Sequence, residues 1–170
     1  MFSINKPTLA IVLSLILIFS SGVFAAPDDA PGALPEQAII NQQGLTHFKR
    51  GYYEMIPHGR KVEAQQEMAR AEQAFIRAIE IDPDFTDAHR NLARLYYLQK
   101  KYDQAAIEYS HVLRLDPGDI DTYVQMAVVE TELGNFEEAV NYLEAAKKET
   151  DDAQVIQKLN NYIQKIKEAQ

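Results

Sequence analysis

The chain has 170 residues, 46% of them apolar, with 25 acidic against 17 basic side chains and no cysteine, which bounds it to about one domain with a sizeable core. A formal charge of −8 argues against a nucleic-acid or anionic-membrane binder, whose electrostatic footprint would be basic. Without a thiol there is no disulfide framework, thiolate metal site, c-type haem attachment or lipidated cysteine.

The first 25 residues place Lys6 ahead of an uncharged run from Leu9 to Phe19, then Ser20-Ser21-Gly22 and the small-residue pattern Val23-Phe24-Ala25. This three-part form predicts a secretory signal peptide cut after Ala25. The apolar run is short beside the roughly 20 residues of a membrane span, and an uncleaved membrane anchor is the alternative. Removing a segment that holds Lys6 and no acid would change the charge from −8 to −9. Residues 26–36 (APDDAPGALPE) hold three prolines and one glycine, so they cannot form a helix interior and read as a linker.

From residue 37 the pattern turns helical, with good helix formers and apolar residues at three- and four-residue spacing, and the fold class is all-α. Comparing the chain with itself at an offset of 34 brings columns into register: Met68, Tyr102 and Phe136; Ala71, Ala105 and Ala139; Phe75, Tyr109 and Leu143; Ala78, Val112 and Ala146; and the pairs Asp82-Pro83 and Asp116-Pro117. A fixed period is the signature of stacked repeats. Small residues such as Ala105 belong where helices touch and large ones such as Tyr109 where they leave space. The Asp-Pro steps stop one helix, and Asp84 or Asp119 can cap the next.

In chain order, the first unit pairs a helix around Gly44 to Met55 with a second that carries Met68, Ala71, Phe75 and Ala78. About ten extra residues separate them, so that Pro57 and Gly59 leave a long insertion near residues 56–66. Its first-helix register has two readings: Phe48 and Tyr52 take the buried places, or Gly51 supplies the small contact. The second unit, Thr86 to Asp119, sets His89, Leu92, Ala93 and Tyr96 on one stripe, with Leu95 beside it. The third runs from Ile120 to about Thr150. Ala153 to Ala169 is a final amphipathic helix with Val155, Ile156, Leu159, Tyr162, Ile163 and Ile166 on one face, fit to cap an open stack; it belongs to a terminal segment of residues 152–170.

The second unit resembles the tetratricopeptide repeat family through Leu92, Ala93, Tyr96, Ala105, Tyr109 and Pro117, and the third through Met126, Ala127, Gly134, Phe136, Ala139 and Ala146. The third departs at Glu130, where the family usually has an aromatic, and at Asp151, where proline would stand. The resemblance implies a right-handed superhelical stack of about three antiparallel helix pairs over residues 37–151, with the cap beyond.

No nucleophile elbow, phosphate loop, His-Glu-x-x-His pair or calcium loop is present. Histidines at 47, 58, 89 and 111 read as structural or surface groups. Acid pairs such as Glu137-Glu138 fall at helix starts and turns, where capping and dipole effects explain them, and Tyr96, Tyr102, Tyr109, Tyr123 and Tyr142 fall in core or near-core places. No enzyme, metal, cofactor or small-molecule substrate is predicted.

Asp87, Arg90, Asn91, Arg94 and Leu98 recur on the face opposite the buried stripe, with Tyr97 beside them, and the third unit presents Asp121, Val124, Gln125, Val128 and Glu132. In the family resembled, that face lines a concave groove receiving an extended peptide or partner helix. The expected partner-binding residues are Arg90, Asn91, Arg94, Tyr97, Gln125 and Val128, extended by Arg50 and Tyr53. Two arginines beside an amide could grip a carboxylate and a peptide backbone; a solvated face with Arg90 and Arg94 offsetting Asp87 is the other reading. The face only partly resembles the carboxylate clamp of chaperone-binding members, because the third unit offers Val124 and Val128. The expected function is an exported interaction module, periplasmic or secreted, holding a protein or peptide partner, with no nucleic acid and membrane contact only through an uncleaved N-terminus. The alternative is an assembly subunit of an envelope or secretion complex that uses its convex face or the inserted loop.

Overall fold

A computed structural model describes residues 33–168; the predicted signal peptide and most of the linker lie outside them. The described residues are helical, in seven segments: α1 (Glu36–Lys49), which runs on into a π-helical segment (Arg50–Met55), α2 (Lys61–Ile81), α3 (Thr86–Leu98), α4 (Tyr102–Leu115), α5 (Ile120–Leu133), α6 (Phe136–Lys148) and α7 (Ala153–Glu168). Each packs against its chain neighbour, and α1 also touches α3, giving three helix pairs and a last helix in a solenoid.

The 34-residue columns are the packing code. Ala71, Ala105 and Ala139 are fully buried, as are Ala78, Val112 and Ala146, with Phe75, Tyr109 and Leu143 beside them. A small side chain lets two backbones approach, and the large one fills the space left further along. Burial pushes the Tyr109 phenol up to about 12, with Arg94 acting in the opposite sense and Tyr97 adding to the rise, so it stays neutral in the core. Apolar side chains form two clusters: one runs from Phe48 through Phe75, Leu95 and Tyr109 to Val129, and the other joins Ala127, Ala139, Leu143, Leu159 and Ile163. Both draw on α5.

Inside the second and third pairs the turns are built alike. Lys100 and Gly134 stand 34 residues apart, both with positive φ, 60° and 82°. Lys100 N donates to Tyr97 O and Lys101 N to Tyr96 O; Gly134 N donates to Thr131 O and Asn135 N to Glu130 O. These bonds satisfy carbonyls that a helix end leaves open. Glu130, buried where an aromatic stands in related repeats, accepts from Asn135 Nδ2 at 2.8 Å, so the substitution is locally hydrogen-bonded. Asp119 caps α5 by accepting from Thr122 N. Asp84 does not cap α3; its carboxylate meets Arg114 at 3.2 Å instead. Asp152 accepts from Gln154 N and Val155 N at the start of α7.

The first unit departs most from expectation. The long connection over residues 56–66 narrows to residues 56–60, because helix continues to Met55 and resumes at Lys61. The surplus enters the helices. The π-helical segment bonds Ile56 N to Gly51 O, a five-residue step in place of four, which turns the face of the helix. Phe48 and Gly51 are therefore both buried while Tyr52 is half-buried, and the two readings of the register both hold in part. Gly44 is the closest approach: a Cβ there would lie 2.7 Å from the Phe75 ring.

Candidate functional site

The first helix of each unit presents one face away from its partner, and the expected binding residues fall on these faces in two groups. In the first, Asn91 Nδ2 donates to Asn41 Oδ1 at 3.0 Å, joining α3 to α1. Arg94 donates to the Tyr53 hydroxyl at 3.3 Å, and its guanidinium carbon sits 5.4 Å from the centre of the Phe48 ring. A cation over an aromatic face is attracted to its quadrupole. Both partners are neutral, and among the described residues Arg94 makes no ion pair, so it is an exposed cation oriented without being neutralised.

The other arginines are occupied. Arg90 meets Asp119 at 2.8 Å and Asp87 at 2.9 Å. Burial works to lower its pKa, but the hydrogen bond and charge of Asp119 outweigh it and the net direction is upward. Asp119 is held below the ordinary carboxylate range: burial opposes the shift, while hydrogen bonds from Thr122 and Arg90 dominate. Arg50 lies 3.8 Å from Glu67, whose buried carboxylate also meets His47 at 2.7 Å and Arg70. The pair of equivalent arginines expected one turn apart is thus unequal, because Asp119, distant in sequence, closes on Arg90.

The second group is apolar. Val124, Gln125 and Val128 of α5 face Tyr162, Lys165 and Ile166 of α7 across a cleft of about 370 Å³. Tyr162, expected on the buried stripe of the cap, is 47% exposed and serves the cleft instead. Tyr97 joins neither group: it is half-buried, its ring 5.7 Å from Tyr102, and burial followed by the Glu132 charge raises its pKa. Leu98, expected beside Arg94, lines a separate cavity with Tyr52 and Ile56.

Asn41, Phe48 and Tyr162 were missed as site residues. Asn41 is a buried polar side chain in a helix with no repeat column to mark it, and the register of Phe48 was ambiguous. Tyr162 carried a signal, since its hydroxyl suits a half-wet position better than a sealed one.

Histidines 89 and 111 are structural. His89 is buried, its Nδ1 2.7 Å from a Glu108 carboxylate oxygen and its Nε2 2.9 Å from the Pro83 carbonyl, and His111 stacks on it at 4.9 Å.

Comparison with known proteins agrees with this geometry. Tetratricopeptide repeat models match residues 58–120 and 98–160, together more than half of the chain. Over 54 residues the chain is 35% identical to the Hsp70-Hsp90 organising protein of Plasmodium falciparum (isolate 3D7), a match covering 32% of this chain and 10% of that protein. Among solved structures, the TPR2B domain of yeast Sti1 in its pHsp70 complex superposes with a TM-score of 0.62 at 13% identity, covering 79% of this chain and 98% of that one. The first TPR of Spaghetti (RPAP3), bound to the HSP90 peptide SRMEEVD, gives 0.54 at 19% identity, covering 76% and 94%. At these identities the structures speak for the fold, and the repeat models for the lineage: the chain belongs to the tetratricopeptide repeat family.

Proposed function

We propose that the chain is an exported interaction module that holds an extended segment of a protein partner along the faces of α1, α3, α5 and α7. The observation that carries this reading is Arg94, an exposed guanidinium oriented by Tyr53 and Phe48 yet lacking an acidic partner among the described residues. A partner carboxylate meets the guanidinium, Asn91 borders the same place, and an apolar partner side chain enters the cleft of Val124, Val128 and Tyr162. Arg90 sets the wall through Asp119 and contacts the partner less. Peptide-bound relatives such as the Spaghetti domain support the mode. Export rests on the uncharged run from Leu9 to Phe19 and the Val23-Phe24-Ala25 pattern.

The test places a photo-crosslinking residue at Gln125 in the full chain in intact cells, with and without Arg94→Ala. A discrete crosslinked partner whose affinity falls about ten- to hundredfold in the variant is expected, the range of one charge-assisted hydrogen bond of roughly 1.5–3 kcal/mol. Unchanged affinity removes Arg94 from the site. N-terminal sequencing of the extracytoplasmic protein checks export, with Ala26 as the expected first residue.

A further inference from the structure

The partner groove carries a second oriented charge, opposite in sign to Arg94. Glu132, in the last turn of α5, accepts from the Tyr102 hydroxyl at 3.0 Å. That bond is the main influence raising the Tyr102 phenol above its ordinary value, so the tyrosine stays a neutral donor. Glu132 is exposed, and among the described residues it meets no cation. Lys165 lines the same cleft without pairing with it.

The parallel with Arg94 is close. Tyr53 of the first unit orients Arg94 of the second, and Tyr102 of the second unit orients Glu132 of the third. A hydroxyl fixes the direction of a charged group without cancelling its charge, so a charged partner group has no internal ion pair to displace at either place. Tyr97 lies between the two. It follows Arg94 by one turn of α3, its ring is next to Tyr102, and after burial the Glu132 charge is what raises its phenol. The acids nearer Arg90 are different, because Asp87 and Asp119 are both engaged by that arginine.

We propose, resting on the groove reading above, that the held segment is dipolar: one acidic side chain meets Arg94 and, elsewhere along the same segment, one basic side chain meets Glu132 beside the apolar cleft. A uniformly acidic segment gains at Arg94 and loses at Glu132, and a uniformly basic one does the reverse. Only a mixed segment, laid in one direction, gains at both. The two charges thus set the direction of the partner as well as its composition.

The test selects a random displayed peptide library on the full chain. Enriched sequences are expected to pair one acid with one base in a constant order and separation, and the charge-swapped variant Arg94→Glu/Glu132→Arg is expected to enrich the reverse order. Within an enriched peptide, replacing the base by glutamine weakens binding to the natural chain about two- to fivefold, the range of an exposed ion pair, and changes nothing with Glu132→Gln. Enriched sequences that are acidic without a base, or a base whose loss is felt equally by Glu132→Gln, overturn the dipolar assignment and leave the groove standing. Binding unchanged by Arg94→Ala, or a library that yields no enrichment, overturns the groove reading and this one with it.

Discussion

Gly44 shows what a single missing Cβ can decide. Any side chain there would press on the Phe75 ring, which is fully buried and hemmed in. Gly44→Ala should therefore lower stability by about 1–3 kcal/mol, as overpacking does, despite the better helix propensity of alanine, and a denaturant titration would register it. Ala105→Leu, at a fully buried contact, should cost a similar amount; an unchanged melting temperature would contradict the helix contact. Glu67 gives a pH signature. The His47 hydrogen bond is the main influence holding its carboxyl below the ordinary 4.5; burial opposes it, and Arg70 and Arg50 assist. A depressed folded pKa contributes stability that is present above the unfolded value and lost as pH falls through the folded one. The stability advantage of the natural chain over Glu67→Gln should therefore hold at neutral pH and shrink below about pH 4.5, measured by denaturation across that range.

At the scale of elements, the two matching turns place different residues at their positive-φ position. Lys100 holds the left-handed conformation that glycine adopts at 134, and a side chain in that region is strained by roughly 1–2 kcal/mol. Lys100→Gly should thus raise the melting temperature, by a net contribution of about 0.5–1 kcal/mol after the greater backbone freedom of glycine is subtracted. Gly134→Ala should lower it by a comparable amount. A fall in the first variant would mean that the Lys100 side chain stabilises the turn in some other way. The helices of the second and third units were legible because Ala105, Tyr109 and their counterparts repeat at 34 residues, each column reporting the same contact. The first unit was less legible because its π-helical turn shifts the face mid-helix, a backbone event with no residue-type signature. In the candidate site, the exposed face holding Arg94 follows from helical spacing. The capture of Arg90 by Asp119 depends on how the turn after α4 folds back, which spacing does not encode.

Among the described residues, α5 is the only helix with fully buried side chains in both apolar clusters, Met126 and Val129 in one and Ala127 in the other, while the half-buried Tyr142 of α6 packs against both. Repeats that touch only their neighbours can lose order from an end without losing it everywhere. Residues of α6 and α7 should accordingly exchange their amide hydrogens faster than those of α2 to α4 under native conditions, and deleting residues 153–168 should expose Leu143 and promote self-association. Uniform protection from α1 to α7 would contradict this division. The arrangement amounts to a hinge written in side chains: under tension from a bound segment, the C-terminal pair would yield first. The apolar cleft between α5 and α7 would then open and release its contents before the contacts around Arg94 had begun to loosen.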